Sequence, residues 1–150
     1  KVYLNNPSMR AALFGSITAE SPAMGALTET AIYSQWQHNQ QAELFYARWN
    51  SGEVDIVHMA GSDLKPNWAV EVKWSDRPYQ SRGELDNCVE FAQKHPNISS
   101  PMLVTSRTIS DALVSYKGMN FEFCPSSVYA YTVGVNLVHR LNSRSPEIAP

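Results

Sequence analysis

Cysteine is scarce in this chain, and so are the spacings that recruit it. Only Cys88 and Cys124 occur, far apart and with no Cys-x-x-Cys pair, which argues against a disulfide framework and fits reduced thiols in a cytoplasmic protein. His38, His58, His95 and His139 are scattered, with no His-x-x-x-His or Cys/His spacing of a structural zinc site. No Gly-x-x-x-x-Gly-Lys-Ser/Thr loop is present to cradle ATP phosphates. There is no Gly-x-Ser-x-Gly elbow either, and nothing singles out a serine or cysteine as a nucleophile. No apolar run approaches the roughly 18 residues of a membrane span, and no charged leader precedes an apolar core. Positive charge is in short supply: 12 Lys and Arg stand against 14 Asp and Glu, for a net charge of −2. Strong nonspecific duplex binding rests on many basic contacts to phosphates, so this balance opposes it.

What is there is enough for one core. At 150 residues, with 43% hydrophobic and 11% aromatic content, the chain reads as a single domain over residues 1–141 followed by a flexible tail over 142–150. It enters directly at Lys1-Val-Tyr-Leu4, which reads as a short strand and as the edge of a piece excised from a larger protein. Pro7 to Phe14 predicts a short helix. Ser21-Pro22 supplies an N-cap and a proline at the first helical position, for a helix running to about His38 or Asn39. Glu43 to Trp49 predicts a strand, and Asn50-Ser-Gly52 its turn into Glu53. A helix is expected from about Gln80 to Lys94, strands at Pro101–Thr105 and Met119–Cys124, and a last helix from Ser126 to Leu141 with Tyr129, Val133 and Leu137 inward.

Two short runs, Glu53-Val-Asp-Ile-Val57 and Ala69-Val-Glu-Val-Lys-Trp74, set acidic groups inside apolar strands. Alternation places Val54 and Ile56 on one face with Glu53 and Asp55 on the other, and Val70, Val72 and Trp74 opposite Glu71 and Lys73. His58 falls on the face away from Asp55 and reads as packed or solvated. Residues 60 to 67 are rich in turn formers, so the runs predict an antiparallel hairpin. A hairpin symmetric about Asp63 opposes Asp55 to Glu71, with Cβ atoms roughly 4.5–5.5 Å apart, where like charges destabilise. A cation between them relieves that repulsion. The same register sets Lys73 opposite Glu53 as an ordinary ion pair, so a plain solvated hairpin face is the alternative.

An acid on one strand, a turn, and then Glu-x-Lys in an apolar strand resembles the PD-(D/E)xK nuclease pattern, with Asp55 as first acid and Glu71-Val72-Lys73 as second half. Val54-Asp55 stands where that pattern has Pro-Asp. The string of Lys1-Val-Tyr-Leu4, Gly25 to Glu29, Glu53-Val-Asp55 and Glu71-Val-Lys73 further resembles the C-terminal nuclease-like domain of prokaryotic AAA+-like ATPases, over most of residues 1 to 125. The resemblance implies an α/β (α+β) chain with a restriction-endonuclease-like core, a central mixed sheet flanked by helices in the order α-β-β-β-α-β. It implies Asp55, Glu71 and Lys73 as catalytic residues, and Mg²⁺ or Mn²⁺ held by Asp55, Glu71, the Val72 carbonyl and Glu29 of the first long helix. It also implies nucleic acid as partner, DNA favoured, and an upstream ATPase domain in the parent chain.

A basic group follows the Glu-x-Lys strand: Arg77, Arg82 and Lys94, interleaved with Trp74 and Tyr79. It reads either as a track for a phosphate backbone or as a solvated loop and helix face. Glu84 is a further acid near the start of the following helix, where it could approach the site or simply complement the helix dipole. Two functions are therefore expected in competition. One is metal-dependent phosphodiester hydrolysis, and the other a catalytically inactive module of the same fold that docks protein or nucleic acid.

Overall fold

The computed structural model describes residues 6–38, 42–61 and 64–142. The expected strand at Lys1 to Leu4, the hairpin midpoint Asp63 and residues 143–150 of the expected tail lie outside these; Asn142 closes the last helix. The chain is α+β, and among the described residues six strands form one mixed sheet with helices on both faces. In chain order the elements are α1 (Pro7–Phe14), α2 (Met24–Gln37), β1 (Leu44–Arg48), β2 (Glu53–Ala60), β3 (Lys65–Glu71), α3 (Arg77–Gln80), a 3₁₀ turn (Arg82–Leu85), α4 (Asp86–Lys94), β4 (Met102–Ser106), β5 (Ala112–Tyr116), β6 (Met119–Pro125) and α5 (Ser126–Asn142). Across the sheet the strands run β1-β2-β3-β4-β6-β5. The first three form an antiparallel meander; β3, β4 and β6 are mutually parallel, and β5 returns antiparallel at the edge.

Two apolar layers hold the sheet. On one face Val54, Val57, Ala69, Met102, Val104, Phe121 and Phe123 pack under Leu85, Cys88, Val89 and Phe91 of the α4 region. On the other, Ile56, Val70 and Val72 meet Ile32 of α2, with Trp36, Trp68 and Tyr129 around them. Val133 and Leu137 of α5 are buried, as their helical spacing predicts.

Several sequence expectations need correction. The helix expected from Ser21 begins at Met24, because Ser21 to Ala23 form a separate turn in which the Ser21 hydroxyl accepts from Ala23 N–H. The single helix expected from Gln80 is broken, with α3 ending at Gln80 and a 3₁₀ turn intervening before α4. Strand β3 starts at Lys65 and ends at Glu71, where Ala69 to Trp74 was expected, so the turn before it is shorter than eight residues. Strand β5 was not foreseen, although Lys117 and Gly118, both at positive φ, give the two-residue hairpin turn that marks it.

Strict alternation in β2 also fails. Ala47 pairs with Val54 but Phe45 with Val57, so Asp55 and Ile56 together oppose Tyr46 in a β-bulge. Val54 and Val57 consequently share the α4 face, and Ile56 turns to the α2 face. A second irregularity lies between β2 and β3, where His58 pairs with Trp68 but Met59 with Pro66. It sits beside the strand's proline, a residue that cannot complete a regular ladder.

Beyond the sheet, Asp76 ties the segment after β3 to the segment after β4. Its carboxylate accepts from the backbone N–H groups of Arg107 (2.9 Å), Thr108 (2.9 Å) and Ile109 (3.4 Å) and from the Thr108 hydroxyl (2.6 Å). Partial burial pushes its pKa up, but these donors outweigh that and hold it below the usual value. Asp76→Ala is expected to lower unfolding free energy by about 1–2 kcal/mol at pH 7. A depressed carboxylate stabilises above its unfolded pKa and loses that contribution as pH falls through the folded one, so the gap to wild type closes in acid. Urea titrations at neutral pH and near pH 3 check this; equal stability at neutral pH would refute it.

Candidate active site

The site is built where β2 and β3 run side by side. Ile56 pairs with Val70 and Val57 with Ala69, and that register extended by one step sets Asp55 opposite Glu71, on which its charge weighs. The bulge lets Asp55 point to the α4 face without displacing Val54 from it. Asp55 and Glu71 are 3% and 4% exposed, so these are not members of a solvated face. An Asp55 carboxylate oxygen accepts from the Val72 N–H at 2.9 Å. That bond fixes the first acid to the Glu-x-Lys segment itself.

Lys73 lies two residues beyond the end of β3. Its Nζ donates to Glu71 Oε1 at 2.5 Å, so its ion pair is with Glu71 and not with the Glu53 expected from the hairpin register. Glu53 instead accepts from the Tyr46 hydroxyl. Burial alone would lower the Lys73 pKa, but the charge of Glu71 and its hydrogen bond, with the charge of Asp55 behind them, raise it. The other oxygen of Glu71, Oε2, is buried with no partner of good hydrogen-bond geometry among the described residues, and the Cys88 thiol reaches the Glu71 carboxylate only as a weak donor. A buried carboxylate oxygen so weakly satisfied is costly, and such a group calls for a ligand or a proton.

Cys88 of α4 sits over the acids, fully buried, and burial first and then the charge of Glu71 push its thiol well above the usual value. The backbone of Lys73 is held in turn. Its N–H donates to Thr105 Oγ1 at 2.7 Å, and its carbonyl accepts from Thr105 Oγ1 at 2.8 Å and from Ser126 Oγ at 2.7 Å. Cys88, Thr105 and Ser126 were not foreseen as parts of the site. The only sequence trace of Thr105 is a hydroxyl closing the buried strand Met-Leu-Val-Thr.

The remaining expected residues are dispersed. Glu29 is half-buried on α2, whose Ile32 packs in the layer across the sheet from Cys88. The acids that weigh on Glu71 are Asp55 and, less strongly, Glu53. Among the described residues no group of three or more His, Cys, Asp or Glu side chains gathers as a metal cage. The side chain of Val72 faces the α2 layer. Glu84 pairs with Arg77 at 2.5 Å on the surface and does not turn to the carboxylates. Arg82 lies over the Tyr79 ring and donates to the Pro78 carbonyl. Trp74 donates to the Ala19 carbonyl and lies under Arg107. Lys94 pairs with Glu90 and lines a cavity with Lys65, at the far end of β3. Six strand steps of about 3.3 Å put that end roughly 20 Å from Glu71. His58 faces away from Asp55, stacked on Trp68 and bonded to Asn67.

Comparison with protein-family models, curated proteins and solved structures returns no match.

The chemistry of the pair therefore has to be read from the pair. Burial first, and then the charge of Asp55, push Glu71 up to about 7, against the opposing pull of Lys73. Its ordinary value is 4.5, so the folded chain binds this proton more tightly than the unfolded one. The resulting stabilisation is complete below pH 4.5 and is lost as pH rises to about 7. Urea unfolding of the metal-free protein should show stability falling between about pH 5 and 8, and Glu71→Gln should flatten that fall. An equally steep profile in the variant would remove Glu71 as its source.

Proposed function

We propose that this chain is a metal-dependent phosphodiesterase domain of the PD-(D/E)xK, restriction-endonuclease-like class, acting on nucleic acid with DNA favoured, and attached in its parent protein to an AAA+-like ATPase. The observation that carries this is the burial of Asp55 and Glu71 side by side, with Glu71 Oε2 lacking a well-formed hydrogen bond among the described residues and Lys73 on its other oxygen. A mixed sheet flanked by helices, with a helix, three strands, a helical crossover and a further strand in succession, fits the order the resemblance implies and supports the same reading.

The donor set suits a hard divalent cation. Mg²⁺ and Mn²⁺ use one or two carboxylates, keep several waters and take further oxygens from substrate phosphate, so a full protein cage is not required. Asp55 and Glu71 would hold it, with the Val72 carbonyl as a further donor implied by the resemblance; Glu29, which the resemblance also implies, is carried on α2 in the other layer. A cation bound there supplies Lewis-acid activation of a phosphodiester and of its attacking water. Asp55 is oriented by the Val72 N–H, which donates to one of its carboxylate oxygens. The Lys73 side chain, one third exposed, would orient the water and offset charge developing on the phosphate.

The noncatalytic module remains the second reading, favoured by specific contacts. Lys73 already neutralises Glu71, and the basic residues expected to track a backbone are engaged locally, Arg77 with Glu84 and Lys94 with Glu90.

Calorimetric titration of Mn²⁺ and Mg²⁺ tests the site, with Asp55→Ala as control. Saturable binding in the wild type and its loss in the variant are expected. Cleavage of labelled DNA in Mn²⁺ should then fall by about 10²–10³ in Asp55→Ala and in Lys73→Ala, with both proteins still folded. Cleavage retained in either variant would overturn the assignment. Metal binding without cleavage of any nucleic acid would select the noncatalytic module.

A further inference from the structure

We propose that Thr105 is the positioning residue of Lys73, its single hydroxyl clamping both backbone groups of the lysine and thereby setting the aim of the ammonium at Glu71. The inference takes the role of Lys73 from the proposed function, but its geometry stands apart from any activity.

Strand β3 ends at Glu71, and its parallel pairing with β4 stops at Glu71 and Val104. Had the ladder continued, backbone groups of β4 would have fixed the next residues of β3. Instead, the Lys73 N–H donates to Thr105 Oγ1 and the Lys73 carbonyl accepts from the same oxygen, at 2.7 and 2.8 Å. A hydroxyl has one proton to donate and lone pairs to accept with, so one side chain satisfies both backbone groups at once. Thr105 is fully buried and β-branched, so its χ1 is stiff and the clamp is rigid.

Ser126, the first residue of α5 and also buried, backs the clamp. Its hydroxyl lies 2.7 Å from the Lys73 carbonyl and 2.9 Å from the Ser106 carbonyl, joining the start of α5 to the ends of both parallel strands. A lysine side chain has four rotatable bonds and is ordinarily a poor instrument of fixed geometry. Here the chain that carries it is held on both sides of its Cα.

Thr105→Val keeps the shape and removes the hydroxyl; Thr105→Ser keeps the hydroxyl. The readout is the acetylation rate of Lys73 in the native, metal-free protein, followed by peptide mass spectrometry and normalised to the exposed Lys117. In the wild type Lys73 is expected to react slowly, because its Nζ is held at Glu71. Thr105→Val should raise its rate several-fold, because the ammonium is no longer aimed at Glu71, and Thr105→Ser should restore the slow rate. An unchanged rate in a cooperatively melting Thr105→Val protein would overturn the proposal, and so would failure of Thr105→Ser to restore it. Should Thr105→Val not fold, Ser126→Ala removes one donor to the same carbonyl and should give a smaller rise; no rise there counts against the clamp. Where DNA cleavage is measurable, kcat should fall in Thr105→Val with KM little changed. Absence of cleavage in every protein would overturn the proposed function and leave the labelling result standing.

Discussion

Two carboxylates held opposite one another in the dry middle of a sheet set the conditions for everything around them. Directly opposed like charges destabilise a strand pair, and burial raises the cost because water no longer screens them. The molecule meets that cost in three local ways. The Val72 N–H binds Asp55, the Lys73 ammonium binds Glu71, and Glu71 tends to keep its proton to an unusually high pH. One oxygen of Glu71 is left without a well-formed hydrogen bond among the described residues. A structure serving stability alone would gain by replacing such a pair with apolar residues of similar volume, and its presence is what gives the functional reading its weight.

The surrounding topology explains why the site lies where it does. Glu71 and Lys73 stand at the carboxyl end of β3, Thr105 at that of β4, and Ser126 at that of β6, the three parallel strands of the sheet. Chains leaving parallel strands diverge over opposite faces and open a crevice at those ends, where side chains from several strands can converge. Asp76 secures the same end from outside by binding the loop after β4. The expected nucleic-acid residues share no such origin. Lys94 is carried by α4 to the other end of β3, and Arg77 and Arg82 are absorbed by their own helical turns.

The acid pair was legible because strand pairing is a counting problem, and the count came out right because the irregularity beside Pro66 offsets the shorter turn. The elements with strong periodicity or clear punctuation were legible for the same reason, as α1, β1 and α5 illustrate. Burial of the pair was not, since an acid in an alternating run looks alike whether a helix or water covers it. The bulge at Asp55 and Ile56 was hidden because both residues fit either face in composition. Thr105 and Ser126 were hidden because their partner is the backbone of Lys73, and backbone groups carry no sequence label.

That bulge also makes β2 a counted object. The register from Val57 onward is pinned by β3, and the segment from Val54 backward is pinned by β1. Loss of Ile56 would move Val54 into the place beside Glu71 and turn Asp55 toward Ile32 and Val70, exchanging an acid for a hydrocarbon at the pair. At this point the strand is therefore sensitive to length as well as to chemistry, and a gap of one residue at 55 or 56 removes the acid pair outright.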